Sequence, residues 1–185
     1  MSLAQRERQA LVALLAQVGA DAPTLCEGWT TGDLAAHLFV RENRPRALIS
    51  GFESEMARVR AELSYPELLA RIAAGPPALL QRADAAMNTI EFFVHHEDVR
   101  RPRGDGPRAL SQADRDELAR RLGPMTLAAG ADLPTYVTAT DTAVTYQLRG
   151  GRGEIARHVR GPISEIVLFT LGRSAVVDEE LRPLP

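Results

Sequence analysis

The stretch Asn88-Thr-Ile-Glu-Phe-Phe-Val-His-His-Glu-Asp-Val-Arg-Arg-Pro102 constrains this chain more than any other. Read as a helix, it sets Glu91 and His95 four residues apart, one turn above the other on a single face. Met87, Ile90 and Val94 flank that face, which therefore points into a core. An ionised carboxylate is costly to bury without a partner. A histidine is a weak ion-pair partner at neutral pH and a good co-ligand. The pair asks for a helical bundle whose interior holds either a divalent cation or a hydrogen-bonded polar pair.

A third donor has to come from another helix. The chain has four histidines: His37, His95, His96 and His158. His37 lies on a helical stripe with Leu34, Leu38 and Arg41, so it too faces inward. His37, Glu91 and His95 make a three-ligand set that leaves one coordination position open, as in catalytic zinc sites. The plainer reading, buried histidines bonded to backbone or water, stays open at this point. Arg41 is expected to be solvated, with the same cavity in reach. His96 is rotated about 100° from His95 and is read as packing or support. Asp98, one turn beyond His95, is placed to orient its imidazole or to pair with Arg100 or Arg101. His158 is read as a strand or surface residue. Cys26 is read as a small loop or core residue, since nothing near it in sequence would activate a thiol beyond a helix start.

Composition narrows the chemistry. With 185 residues the chain is one domain, or one with a small appendage, and buries a real core. A net charge of −2 gives no electrostatic case for nucleic acid or a membrane surface. No apolar run reaches membrane-spanning length, and Met1-Ser-Leu-Ala-Gln-Arg-Glu-Arg is no signal peptide. One cysteine fits a reducing cytoplasm. There is no lysine, which excludes a Schiff base, a P-loop lysine and a lysine base and hints at a GC-rich genome. Gly-x-Ser-x-Gly is also absent, so metal chemistry gains by elimination.

The spacing predicts a first helix over 3–18, ended by Gly19. Thr30-Thr-Gly-Asp33 opens a second that carries His37 and runs to about Ile49, and Trp29 staples its entry. A short helix or irregular segment covers Phe52–Leu63, and Ser64-Tyr-Pro-Glu67 is another capping box. The long helix lies within Ala78–Arg101 and stops at Pro102. Ser111-Gln-Ala-Asp114 starts a helix to Leu122, with an extension towards Ala129. Beyond Pro134 the character turns to β: strands at 135–140, 143–148 and 154–159, a helix over 162–171, and a last strand at 174–178. The expected domains are a helical bundle over 1–132 and a small α+β segment over 133–185.

These residues also carry a resemblance. Trp29-x3-Asp33-Leu-x2-His37 followed by Glu91-x3-His95-x2-Asp98 resembles the DinB-like metal-binding bundles. The likeness is closer to the actinobacterial group that includes the mycothiol-dependent maleylpyruvate isomerases. Leu25-Cys-Glu-Gly-Trp-Thr, the block from Glu91 to Arg101, and Pro162 to Arg173 carry it across nearly the whole chain. The resemblance implies a mainly α fold, an up-down four-helix bundle with a small C-terminal α+β segment. It implies a divalent metal, usually zinc, on the positions of His37, Glu91 and His95. It also implies an arginine contributed by the C-terminal segment, for which Arg173 is the candidate.

The function expected on this basis is thiol transfer or isomerisation. Mycothiol would occupy the open metal position and attack a small electrophile, with Arg41 and Arg173 holding a substrate carboxylate. The alternatives are a metal-dependent hydrolase using bound water, a non-haem iron oxygenase, and a non-enzymatic metal-stabilised binding module. The partners expected are a small-molecule thiol and its substrate, and a second copy of the chain as a homodimer.

Overall fold

The computed structural model describes residues 1–44, 51–75, 81–126 and 129–184, and only the backbone of 81–87. Met87's side chain, the second helix's extension to Ile49, Ala78 and the step from Thr126 towards Ala129 therefore fall outside the described parts. The chain divides into two compact units, Met1–Asp105 and Gly106–Pro185.

The first unit is helical: α1 (Leu3–Val18), α2 (Thr31–Asn43), α3 (Phe52–Glu62), α4 (Tyr65–Ala74) and α5 (Gln81–Arg100). A single 3-10 turn, Arg101–Arg103, follows where Pro102 stops the ladder. The starts are set by reciprocal caps. Ser2 pairs with Gln5, Thr30 with Asp33 and Ser64 with Glu67, each satisfying two backbone N–H groups that would otherwise be orphaned. Gly19, at φ +82°, ends α1 in a backbone region that other residues avoid. Phe52–Glu62 is thus a regular helix, the first of the two readings offered for it.

α1 packs most extensively on α5, and α2 on α3 and α4. Leu11, Leu15, Leu34, Leu38, Leu68, Ile72 and Phe92 form the centre of this core, all at 2% exposure or less. Truncating one of the fully buried leucines to alanine would cost about 2–5 kcal/mol. Charged residues are buried beside it. Arg8 forms a bidentate pair with Glu42, both contacts at 2.6 Å, and its guanidinium lies 4.1 Å over the Phe92 ring.

The second unit holds α6 (Gln112–Thr126), α7 (Ile163–Thr170) and the strands β1 (Gly130–Ala131), β2 (Thr135–Ala139), β3 (Val144–Gln147), β4 (Arg149–Gly150), β5 (Ile155–Gly161) and β6 (Asp178–Pro183). The main sheet runs β3-β2-β5-β6, with β2 and β5 parallel and the outer pairs antiparallel; β1 pairs with β4. Thr135, Val137 and Ala139 alternate inward on β2, and α7 packs on β2, β5 and α6. Gly151 is required: a Cβ there would lie 2.2 Å from the Leu133 carbonyl. The final strand differs from expectation. Residues 174–177 form no strand, and the edge strand is Asp178–Pro183, whose six residues are all exposed. A polar, solvated edge lacks the alternation by which strands are recognised.

Among the described residues no helix is long and apolar enough to cross a membrane.

Candidate metal centre

α5 presents Glu91 and His95 on one face, and α2 brings His37 to meet them. His37 Nε2 lies 3.0 Å and His95 Nε2 3.3 Å from the same atom, Glu91 Oε1. All three donor atoms fall within 4.8 Å of one another. Ligands about 2.0–2.2 Å from a tetrahedral zinc sit roughly 3.3–3.6 Å apart, so the two nitrogen-to-oxygen separations are within a few tenths of an ångström of those in a ligand shell.

The two imidazoles are held differently. His95 is buried, and its Nδ1 bonds Asp98 Oδ2 at 2.9 Å, while Asp98 itself is at 0% exposure. That bond keeps a proton on Nδ1 and aims Nε2 at Glu91, the carboxylate–histidine arrangement that orients metal-binding imidazoles. His37 Nδ1 has no hydrogen-bond partner among the described residues. Its ring is wedged instead between Trp29 and Phe52, with centroids at 5.1 and 5.2 Å. The aromatic just before the α2 cap thus walls the site as well as stapling the helix.

With its Nδ1 proton directed at Asp98, His95 donates to Glu91 from Nε2 only as an imidazolium. Burial alone would raise the Glu91 carboxyl, but hydrogen bonds from His37 and His95 and the charges of His95 and Arg41 outweigh it. The group is held well below the usual carboxylate range. Burial would lower His95, yet its bonds to Asp98, Cys26 and Glu91, and the Glu91 charge, hold it well above the ordinary imidazole range. Without a cation the cluster keeps a proton where a divalent ion would sit. The donor set, the shared focus and the Asp98 support all fit such an ion.

Arg41 is not the solvated arginine of the default reading. Its Nε lies 3.2 Å from Glu91 Oε1, and its Nη1 donates to Asn88 Oδ1. Asn88 in turn donates to Glu42 at 2.8 Å, which ties Arg41 to the buried Arg8–Glu42 pair. His96 is turned away: it is buried with Nδ1 2.8 Å from Glu7 Oε2 of α1. Arg100 and Arg101 pair with the buried Glu97. His158 stacks on Tyr136 at 5.2 Å in the second unit's sheet. Arg173 also belongs to the second unit, where its Nη1 donates to the Leu171 carbonyl.

Cys26, read from the sequence as a small loop or core residue, sits beside the cluster. Its Sγ is 3.1 Å from Asp98 Oδ2 and 4.0 Å from His95 Nδ1. The loop is pinned there by Leu25 N–H, which donates to the Asp98 carbonyl at 2.9 Å. No spacing rule reaches across the separation between Cys26 and α5.

No protein-family model matches the chain, and no curated protein does. Two solved structures do. One is a mycothiol-dependent maleylpyruvate isomerase, 18% identical, with a TM-score of 0.62 over 99% of this chain and 93% of that one. The other is a histidine-to-alanine mutant of such an isomerase, 19% identical, with a TM-score of 0.61 over the same shares. At this identity the likeness establishes the fold. The chain is mainly α with small sheets, and its structural neighbours are of the kind its motifs suggested.

Proposed function

We propose that the first unit is a DinB-like up-down bundle that binds a divalent cation, zinc before others, through His37 Nε2, Glu91 and His95 Nε2. The protein would use a small-molecule thiol of the mycothiol kind to transfer to, or isomerise, a small electrophilic carboxylate. The observation that carries this reading is the convergence of two imidazole nitrogens on one carboxylate oxygen, 3.0 and 3.3 Å away. The isomerase fold supports the thiol half of it.

A divalent cation here supplies one thing: it favours the thiolate of a coordinated thiol near neutral pH. The chain's own residues do the rest. Asp98 holds the Nδ1 proton of His95 and so fixes which nitrogen faces the site. Trp29 and Phe52 brace His37 and exclude water from its flank. Arg41, steered by Asn88, sets positive charge against Glu91 and is our candidate for holding a substrate carboxylate. Arg173 is proposed for the same task on the strength of the motif resemblance.

The test begins with metal analysis of protein purified without an affinity tag. Cobalt is then loaded into the Cys26→Ser variant, so that the only thiol present is the added one. Mycothiol, or its cysteinyl-glucosamine fragment, should raise a sulfur-to-cobalt charge-transfer band and release about one proton per site. His37→Ala should abolish the response. No band at saturating thiol removes the thiol reading and moves hydrolysis by bound water ahead of it.

A further inference from the structure

His95 has two ring nitrogens, and each faces a separate set of donors. Nε2 looks towards His37 and Glu91; Nδ1 looks towards Asp98 and Cys26. We propose that Cys26 Sγ, Asp98 and His95 Nδ1 form a second metal site, for a thiophilic divalent cation, that shares the His95 ring with the first. It does not rest on the thiol reading above.

Geometry is the first argument. The three donors lie 2.9 Å (Nδ1 to Oδ2), 3.1 Å (Sγ to Oδ2) and 4.0 Å (Sγ to Nδ1) apart. A tetrahedral ion with one sulfur, one nitrogen and one oxygen ligand needs separations of roughly 3.3–3.6 Å. Each distance is within about half an ångström of that. The donors come from two places fixed to each other by the Leu25-to-Asp98 backbone bond.

Charge is the second argument. The site now holds two protons, one on the thiol and one on Nδ1, both directed at the Asp98 carboxylate. A divalent cation takes the place of both. Thiolate and carboxylate then balance its charge in a region where Asp98 is shut off from water. With both sites filled His95 would give up both ring protons, and Glu91, His95, Asp98 and Cys26 would balance two dications. A thiolate selects soft and borderline ions, such as cadmium and zinc, over magnesium or calcium. Access is the third argument: Cys26 is half-buried and so less enclosed than His95 and Asp98, both of which are buried.

The test is a cadmium titration of the tag-free full chain under a thiol-free reductant. Bound metal is counted after desalting, and ultraviolet absorption reports sulfur-to-cadmium charge transfer. The wild type should bind two equivalents, one of which brings the band. Cys26→Ser should bind one, without the band; His37→Ala should bind one, with it. The His37 variant keeps the test alive should the serine variant fail to fold. A wild type without the band, or a second equivalent that survives Cys26→Ser, overturns the proposal and leaves Cys26 as a hydrogen-bond donor to Asp98. One equivalent with the band, lost in Cys26→Ser, would instead sink the His37–Glu91–His95 site and leave this one standing.

Discussion

His95 and His96 are neighbours on α5, both buried, each within hydrogen-bond reach of a glutamate. Yet they sit on faces of opposite character. On the His96 side, one imidazole meets one glutamate, Glu7, at 2.8 Å. On the His95 side, two imidazoles and an arginine crowd one carboxylate oxygen, and the far nitrogen of His95 is already tied to Asp98. A closed pair sets one imidazole against one carboxylate; a convergent cluster crowds several nitrogens onto one oxygen. Burial and residue type therefore do not distinguish a ligand from a packed histidine. The number of donors aimed at one point does.

The sharpest way to break that contrast is Glu91→Gln. The amide keeps the shape and removes the charge that holds the focus together. We expect metal affinity to fall by about 100-fold or more, judged against the 10–100-fold typical of supporting residues. Circular dichroism should still show the helices, because Leu11, Leu15 and Leu38 bury apolar surface independently of the site. A metal-competition titration in which the Gln variant matches the wild type would remove Glu91 from the ligand set. Affinity in the wild type should also rise with pH. His95 keeps its proton to well above the ordinary imidazole range without a cation, so uptake must displace that proton.

Next in size is Asp98→Asn, which weakens the bond that fixes the His95 tautomer. About a 10–100-fold loss of metal affinity is expected. Isothermal titration with zinc reads it directly, and an unchanged constant would leave Asp98 no part in orienting the ring.

Asp98 was legible in the sequence for the same reason as Glu91 and His95: all lie on one helix, where spacing fixes direction. The caps at Thr30 and Ser64 were legible because capping is local chemistry. His37 needed one further step, the amphipathic stripe of α2, and the fold brings it to Glu91 as that stripe required. What could not be read is what depends on loops and on chains of contacts. Cys26 reaches Asp98 through a loop whose path no periodicity describes. Arg41 is held by Asn88 and Glu42, the last of which also binds Arg8 of α1, so its orientation is a property of three helices together. Strand β6 failed for the opposite reason: Asp178–Pro183 is exposed throughout, and its pairing with β5 through backbone bonds leaves no mark on side-chain pattern.

Arg41→Gln should have a smaller effect on metal, and of the other sign. Its guanidinium competes with a cation for Glu91 Oε1, so removing the charge should tighten metal binding several-fold, within the range of one screened charge pair of ~1 kcal/mol. Turnover of carboxylate substrates should fall at the same time. Metal affinity and turnover falling together would make Arg41 a support for the ligands and not a substrate contact.

The smallest effect on metal belongs to the other face of α5. His96→Gln keeps a donor near Glu7, on the other face of α5 from the cluster, so metal affinity should stay within about twofold of the wild type, well under the 1.4 kcal/mol that a tenfold change represents. The cost should appear in stability instead. Glu7 is buried at 5% exposure, and a longer, uncharged amide is a poorer partner for its carboxylate than the imidazole 2.8 Å away. His96→Ala goes further and removes that bond outright, at about 1–3 kcal/mol for a hydrogen bond to a buried charged group. Denaturant unfolding of the metal-free forms should thus rank wild type above His96→Gln above His96→Ala, while metal titration barely separates the first two. A His96→Gln variant that loses more metal affinity than Glu91→Gln would reverse the assignment: the closed pair would be the site, and the convergent cluster only a proton-sharing network in the core.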